Sequence, residues 1–400
     1  MKIVKAEILH IQTGIAFTSV KGTHVLPWKP IILKLYTDEG IYGLGEVALA
    51  YGSASNAGAG ILKDFVPGII GMDPFDTEAI FNKLMKKTFW GQGGGTVIFG
   101  GMSAIDMACW DIKGKALNVP VYKLLGGSCR KDLRCYASQI QSDWGKERRA
   151  LSDTEDYREA ALKAVAEGYD AVKVDLFQYD KNGVMWAYNL CGCLEAEFID
   201  MCVERMEAVR NAVGPRVDII VENHAATDAG TSIQLAKAIE PYGVMYYEEP
   251  NTPLNPKVAK QIKEKINIPL AGGERIYSRW GYAPFFEDRS LDVIQPDLGT
   301  CGGLSEAKKI ADMAHVHDIA VQAHACGSPV VNAACLHLEM ALPNFIIHEH
   351  HRNMLTDPNI ELCVYDYQPV NGRYTVPDLP GLGQDLTSRA YDLADICTIE

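Results

Sequence analysis

Glu222, Glu248 and Glu274 each close a short apolar run, "VDIIVENH", "VMYYEEP" and "IPLAGGE", and they stand 26 residues apart. The series continues with Asp297, His324 and Glu349 at intervals of 23, 27 and 25 residues. One strand and one helix fit each interval, so six successive strand ends present an ionisable group. A single Glu in such a place caps a helix or pairs with a lysine, but three in register point to a shared site. Three carboxylates brought together repel one another, and one or more must take up a proton unless a cation neutralises them. An all-oxygen donor set without cysteine or histidine favours a hard ion. Mg²⁺, one per subunit, keeping waters or substrate oxygens as its other ligands, suits Glu222, Glu248 and Glu274 better than zinc does.

The architecture that gathers these residues is a barrel. In a (β/α)8 barrel the carboxyl ends of all strands open on one face, whereas a doubly wound sheet would scatter them along an edge. From about residue 130 the chain alternates β-branched runs, among them "YDAVKVDLF", "LDVIQPD", "IAVQAHA" and "FIIHEHH", with helical stretches such as "LSEAKKIADMAHVH". Before that, residues 1 to about 50 read as strands around an Asp-Glu-Gly turn. Residues 75 to 117 turn helical, with Ile105, Met107, Ala108, Ile112 and Ala116 at three- to four-residue spacing. The prediction is a small α+β domain ahead of the barrel, with two mobile stretches in it, 15 to 30 and 51 to 60. Four hundred residues also exceed one ordinary core.

Composition bounds the partners. A net charge of −13 with scattered Lys and Arg excludes nucleic acid and anionic membrane surfaces. No apolar run approaches the roughly 18 residues of a membrane span, and "MKIVKAEILH" alternates like a strand, so a soluble, cytoplasmic protein is expected. Eleven cysteines at irregular spacing lack paired CxxC motifs and read as reduced, mostly buried thiols; Cys191 and Cys193 are assigned no role.

"AVKVD" with Lys173, the three glutamates, "GGERIYSR", "VIQPDLGTCGGLSEAKKIA", "QAHACGSP" and "PGLG" at 380 to 383 together resemble the enolase superfamily, in its mandelate racemase subgroup. The resemblance spans the whole chain. It implies an α/β fold: a modified TIM barrel, (β/α)7β, at 129–355, a capping domain at 1–128, and a segment at 356–400 returning to the cap. It also implies a homo-oligomer. A His two residues after the first metal ligand, with a later His-Asp pair, is most similar to acid sugar dehydratases of the D-galactonate dehydratase type.

The chemistry of the residues agrees with that resemblance. A proton beside a carboxylate is very weakly acidic, so an enzyme removing it must stabilise the enediolate dianion, which Mg²⁺ does electrostatically. Lys173 is placed to hold the substrate carboxylate. His324 is the expected general base, with Asp297 fixing its tautomer. His224, on the side of the strand that Glu222 faces, would protonate a departing β-hydroxyl; the alternative is that it orients Glu222. Glu349 resembles the family's last-strand acid, which hydrogen-bonds the substrate carboxylate. Asp175, His24, Trp28 and Arg275 are the expected substrate contacts. His315, His317, His337, His348, His350 and His351 are read as core or surface residues. Relatives often carry Lys-x-Lys where this chain has Lys173-Val174-Asp175, which disfavours a two-base racemase, and the long loop after Asp175 is expected at the mouth of the site. The function expected is Mg²⁺-dependent dehydration of a sugar acid, aldonate or aldarate, to a 2-keto-3-deoxy acid. The alternatives are an epimerase or cycloisomerase on the same scaffold, or a catalytically idle sugar-acid binding protein.

Overall fold

A computed structural model of the chain describes residues 1–188 and 190–400; Asn189, in the loop after Asp175, lies outside the described residues. The alternating N-terminal segment forms an antiparallel sheet, in which Ile3–Ile11 is flanked by Ala394–Ile399 on one side and by Ile31–Thr37 and then Tyr42–Val47 on the other. The C-terminal strand therefore completes the cap. Helix Thr96–Ala116 packs on this sheet so closely that a Cβ on Gly45 would lie 1.9 Å from the Ala104 carbonyl, which requires glycine there. The helix is buried nearly all round because its far side meets the barrel. Asp106 accepts from Ser305 N and Oγ at 2.9 and 2.6 Å.

The first stretch read as mobile is regular, whereas the second begins as an exposed turn at 51–53 before it becomes helical. Thr13–Ser19 and Gly22–Trp28 pair as an antiparallel hairpin across residues 15 to 30. Residues from Ser55 onward begin helix Ser55–Phe65, where Gly58 and Ala59 let the helix approach Val47 and Ile31. At Gly58 the missing side chain serves close packing, while a Cβ on Gly52 or Gly60 would meet open space.

Eight parallel strands follow in order: Leu133–Ser138, Ala171–Asp175, Asp218–Glu222, Val244–Glu248, Leu270–Gly272, Val293–Ile294, Ala320–Val321 and His348–His351. The eighth pairs with the first, and bonds from Val321 N to Asn344 O and from Ile346 N to Val321 O bring the approach to the eighth against the seventh. The helices Thr154–Ala166, Ala196–Val213, Ala229–Ile239, Pro256–Lys263, Ser278–Glu287, Gly303–Val316 and Pro329–Met340 occupy the seven intervals. The interior is plugged by Tyr136, Ile220, Tyr246, Ala271, Val293 and Ile347, all buried. Side chains beyond this plug are left facing the mouth formed by the strands' carboxyl ends. Among the described residues no helix is long and apolar enough to cross a membrane.

Candidate active site

The third, fourth and fifth strands deliver Glu222, Glu248 and Glu274 to the mouth, each carboxylate nine-tenths or more buried. Their repulsion is met first by Lys173 from the second strand, whose Nζ donates to Glu222 and Glu248 at 2.8 Å each and to Glu349 at 3.0 Å. An ammonium has three N–H donors, and all three are used. Lys173, expected from sequence to hold the substrate carboxylate, is here the counter-ion of a buried carboxylate cluster.

Charge compensation is uneven. Burial disfavours the Glu222 carboxylate, yet the charges of His224 and Lys173 outweigh it and hold the group near 2. Glu248 is pushed up to about 8 by burial and then by Glu222, and its Oε2 is buried without a hydrogen-bond partner. Glu274 is also raised by burial, while its oxygens face Arg275 Nη1 at 2.7 Å and His324 Nε2 at 3.1 Å. As placed, no three His, Cys, Asp or Glu side chains among the described residues close into one ligand set. The donors nonetheless fit a hard cation: oxygen atoms only, one of them orphaned, with more negative charge than Lys173 can balance.

Two histidines flank this cluster, each tied to an aspartate. His324, beyond the seventh strand, donates from Nδ1 to Asp297 Oδ2 at 2.7 Å, and Gly299 N fixes the other aspartate oxygen at 2.7 Å. Burial opposes a charge on His324, but Glu274 and Asp297 raise it to about 10. His224, beyond the third strand, makes the matching bond: Nδ1 to Asp175 Oδ2 at 2.7 Å, with Nε2 3.9 Å from Glu222 Oε2. It does not arrive by strand alternation. The strand ends at Glu222, and a left-handed turn at His224 and Ala225 (φ 47° and 56°) swings the ring to the cavity. Burial opposes its charge too, and Glu222 and Asp175 raise it to about 9.

The third and seventh strands are opposite in a ring of eight, so the dyads face one another across a cavity of about 480 Å³ that both histidines line. Trp28 and Arg275 line it as well. His24 does not, because it lies exposed on the outer part of the hairpin. Asp175 is fully buried and does not line the cavity: Oδ1 accepts from Phe177 N and Gln178 N and Oδ2 from His224, so no sugar hydroxyl reaches it. Glu349 likewise faces inward, accepting from Ser138 Oγ, Ala325 N and Lys173 rather than presenting a proton to substrate. His348 and His350 turn outward, to Glu339 and Tyr374. His351, read as a core or surface residue, lines the cavity. The long loop after Asp175 supplies Gln178, Met185 and Trp186, whose ring sets its edge against His224 with centroids 5.5 Å apart. Gln139, Arg148 and Asn353 also line the wall without a sequence signal, since each lies where the chain has left its strand.

The N-terminal domain of the mandelate racemase / muconate lactonizing enzyme family matches residues 4–126, and the enolase C-terminal domain-like family matches 156–390. The chain belongs to the mandelate racemase / muconate lactonizing enzyme family. Within this family, D-xylonate dehydratase of Haloferax volcanii is 32% identical, over 97% of this chain and 88% of the relative. D-galactonate dehydratase of Pectobacterium atrosepticum is also 32% identical, over 91% of this chain and 90% of the relative. The crystal structure of a protein from Zymomonas mobilis ZM4 superposes with a TM-score of 0.95 at 61% identity, covering 100% of this chain and 99% of that one. The two curated relatives are hydro-lyases by name, and the fold expected from the sequence, barrel and returning cap together, is the fold of the family.

Proposed function

We propose that this chain dehydrates a sugar acid, removing the proton α to the carboxylate and the hydroxyl β to it. The observation that carries the proposal is the pair of His-Asp dyads opposed across one cavity, with a buried triad of glutamates between them. Glu222, Glu248 and Glu274 would hold Mg²⁺, which when bound neutralises their charge, frees His324 from Glu274, and offsets the charge that grows on the substrate carboxylate as the proton leaves. Each remaining role falls to a side chain already described. His324 takes the α-proton on Nε2 while Asp297 keeps Nδ1–H in place. Lys173 keeps Glu222 and Glu349 ionised. His224 gives a proton from Nε2 to the departing hydroxyl, and Asp175 retains Nδ1–H so that the ring left behind is a neutral imidazole. Trp186 and Trp28 exclude water around the sugar chain. The enol so formed ketonises to a 2-keto-3-deoxy acid.

The family and the names of the relatives support dehydration; the mirrored dyads would also serve a two-base epimerase, and loss of water separates the two. The test is incubation with hexonic, pentonic and aldaric acids in D₂O with Mg²⁺, reading keto acid and deuterium at C2 by proton NMR. The parent should give keto acid. His224→Asn should lose roughly 10²-fold or more of keto-acid formation, the scale of a missing general acid, while still exchanging C2. Equal loss of both would make His224 a support for Glu222. Exchange without keto acid from the parent would establish the epimerase.

A further inference from the structure

The wall of the cavity is acidic at Glu222 and Glu274, mostly apolar or neutral elsewhere, and carries two guanidinium groups, Arg148 and Arg275. Arg148 lies in the loop after the first strand, which stands opposite the fifth in the ring. Its neighbour Arg149 is neutralised by Asp143 and Asp156 at 2.8 Å each, and Arg275 by Glu249 and Glu274. Arg148 has no such partner: among the described residues no carboxylate lies within ion-pair distance, and its Nε is buried without a hydrogen bond. The guanidinium is held over the Phe17 ring at 5.7 Å, and the Arg148 carbonyl accepts from Thr18 N at 2.8 Å, so the hairpin of the cap fixes it at the wall.

Beside it, the eighth strand adds a second donor. His351 Nδ1 accepts from Asn353 N at 3.2 Å, which places the ring proton on Nε2. Burial lowers the His351 pKa well below its ordinary value, so the ring is a neutral donor. An unpaired guanidinium and an imidazole N–H together match the two oxygens of a carboxylate. The reacting carboxylate is not that group, because it must lie with the glutamates that end the third to fifth strands, where the α-proton is made acidic.

We propose that the substrate is an aldaric acid, with a carboxylate at each end, and that Arg148 and His351 receive the distal one. This assignment rests on the dehydration reading. The cavity of about 480 Å³ has the volume for a six-carbon chain and is lined by both Arg148 with His351 and Glu222 with Glu274. An aldonate would place a neutral hydroxymethyl group against Arg148 and leave it unpaired, a mismatch that discriminates strongly in a partly buried site.

The experiment uses the full chain with Mg²⁺ and matched pairs of hexaric and hexonic acids that share configuration at C2 to C5 and differ only at C6. Keto-acid kinetics and calorimetric binding of each acid are measured, with and without Mg²⁺. The aldarate of the productive pair should be favoured by roughly 10²-fold or more in kcat/KM. Arg148→Met should raise its KM by roughly 10²-fold with little change in kcat and bring the aldarate-to-aldonate ratio near one. Arg148→Lys should recover part of the ratio. Equal or better turnover of the aldonate, or loss of both acids alike in Arg148→Met, overturns the assignment. Failure of both acids to bind overturns it as well. Binding of aldarate that depends on Arg148 without any keto acid would sustain the assignment and refute dehydration. Should Arg148→Met not fold, the parent's ratio on the matched pairs decides alone.

Discussion

Replacing Asp175 by Asn tests the part of the site proposed to make the reaction a dehydration. The carboxylate is fully buried, and its Oδ1 accepts from Phe177 N at 2.9 Å and Gln178 N at 2.8 Å while Oδ2 accepts from His224 Nδ1 at 2.7 Å. Asn cannot keep all three bonds. If its oxygen stays with the two backbone amides, its NH₂ faces His224 Nδ1 and the imidazole must reverse its tautomer. If the amide flips, its NH₂ meets two backbone N–H donors instead. The first arrangement is the less costly, so the loop keeps its course and His224 loses one charge-assisted bond. Such a bond is worth about 1.5–3 kcal/mol. At about 1.4 kcal/mol per tenfold in rate, keto-acid formation should fall by roughly 10- to 10²-fold. Proton removal by His324 does not use Asp175, so the rate of C2 deuterium exchange, followed by proton NMR on the same sample, should remain within a few-fold of the parent. A merely structural role would lower both rates together. That outcome, or an unchanged rate of dehydration, would refute the assignment of Asp175 as the residue that positions His224.

Other substitutions probe the remaining groups. Glu248→Gln should abolish turnover and weaken Mg²⁺ binding, and near-normal affinity by calorimetry would remove Glu248 from the ligand set. His324→Asn should stop C2 exchange as well as dehydration; continued exchange would move the base elsewhere, with Lys173 the first suspect. Glu46, which reaches from the cap to accept from Ser328 and Val331 at the start of helix Pro329–Met340, is raised to about 7 by burial. The folded state therefore binds this proton more tightly than the unfolded chain does, and stability present below the ordinary carboxylate pKa is lost as pH rises toward 7 and above, by roughly 3 kcal/mol. Glu46→Gln should accordingly raise Tm at pH 8 and leave it nearly unchanged at pH 5; a Tm difference that does not depend on pH would refute this.

The parts of the site that sequence exposes are those carried by the barrel's repeat. Glu222, Glu248 and Glu274 announce themselves because each ends an apolar strand at a constant interval, and Asp297 and His324 follow in the same rhythm. What spacing cannot carry is the direction a side chain takes once its strand has ended. His224 depends on two left-handed residues. Arg148, Gln178, Trp186 and Asn353 come from turns whose course is set by tertiary packing, such as Arg205 donating to the Leu176 and Tyr179 carbonyls at 2.8 and 2.7 Å. Burial was equally hidden. Lys173, Asp175 and Glu349 have the residue types of substrate contacts, but Lys173 and Glu349 are bonded within a buried carboxylate cluster and Asp175 to His224 and two backbone amides before a substrate arrives.

The second strand shows how one exchange of residue type redirects the chemistry. Relatives that carry Lys-x-Lys place a second base on the face opposite the histidine dyad. Here that position is Asp175, which cannot act as a base on the substrate because its oxygens are occupied and it lies outside the cavity wall. The carboxylate instead binds the imidazole from the adjoining third strand, with which the second is paired from Ala171 to Asp175. Strand neighbours are held in register by the sheet, so the Asp175 to His224 bond follows from the pairing of Asp175 with Glu222 and the turn two residues later. The mouth thereby exchanges a mobile ammonium base for a clamped imidazole that holds a proton beside the metal ligands. A proton held there can go to a hydroxyl departing on that side or to the far face of the enediolate carbon, and the hydro-lyase relatives favour the first, which loss of water distinguishes from inversion.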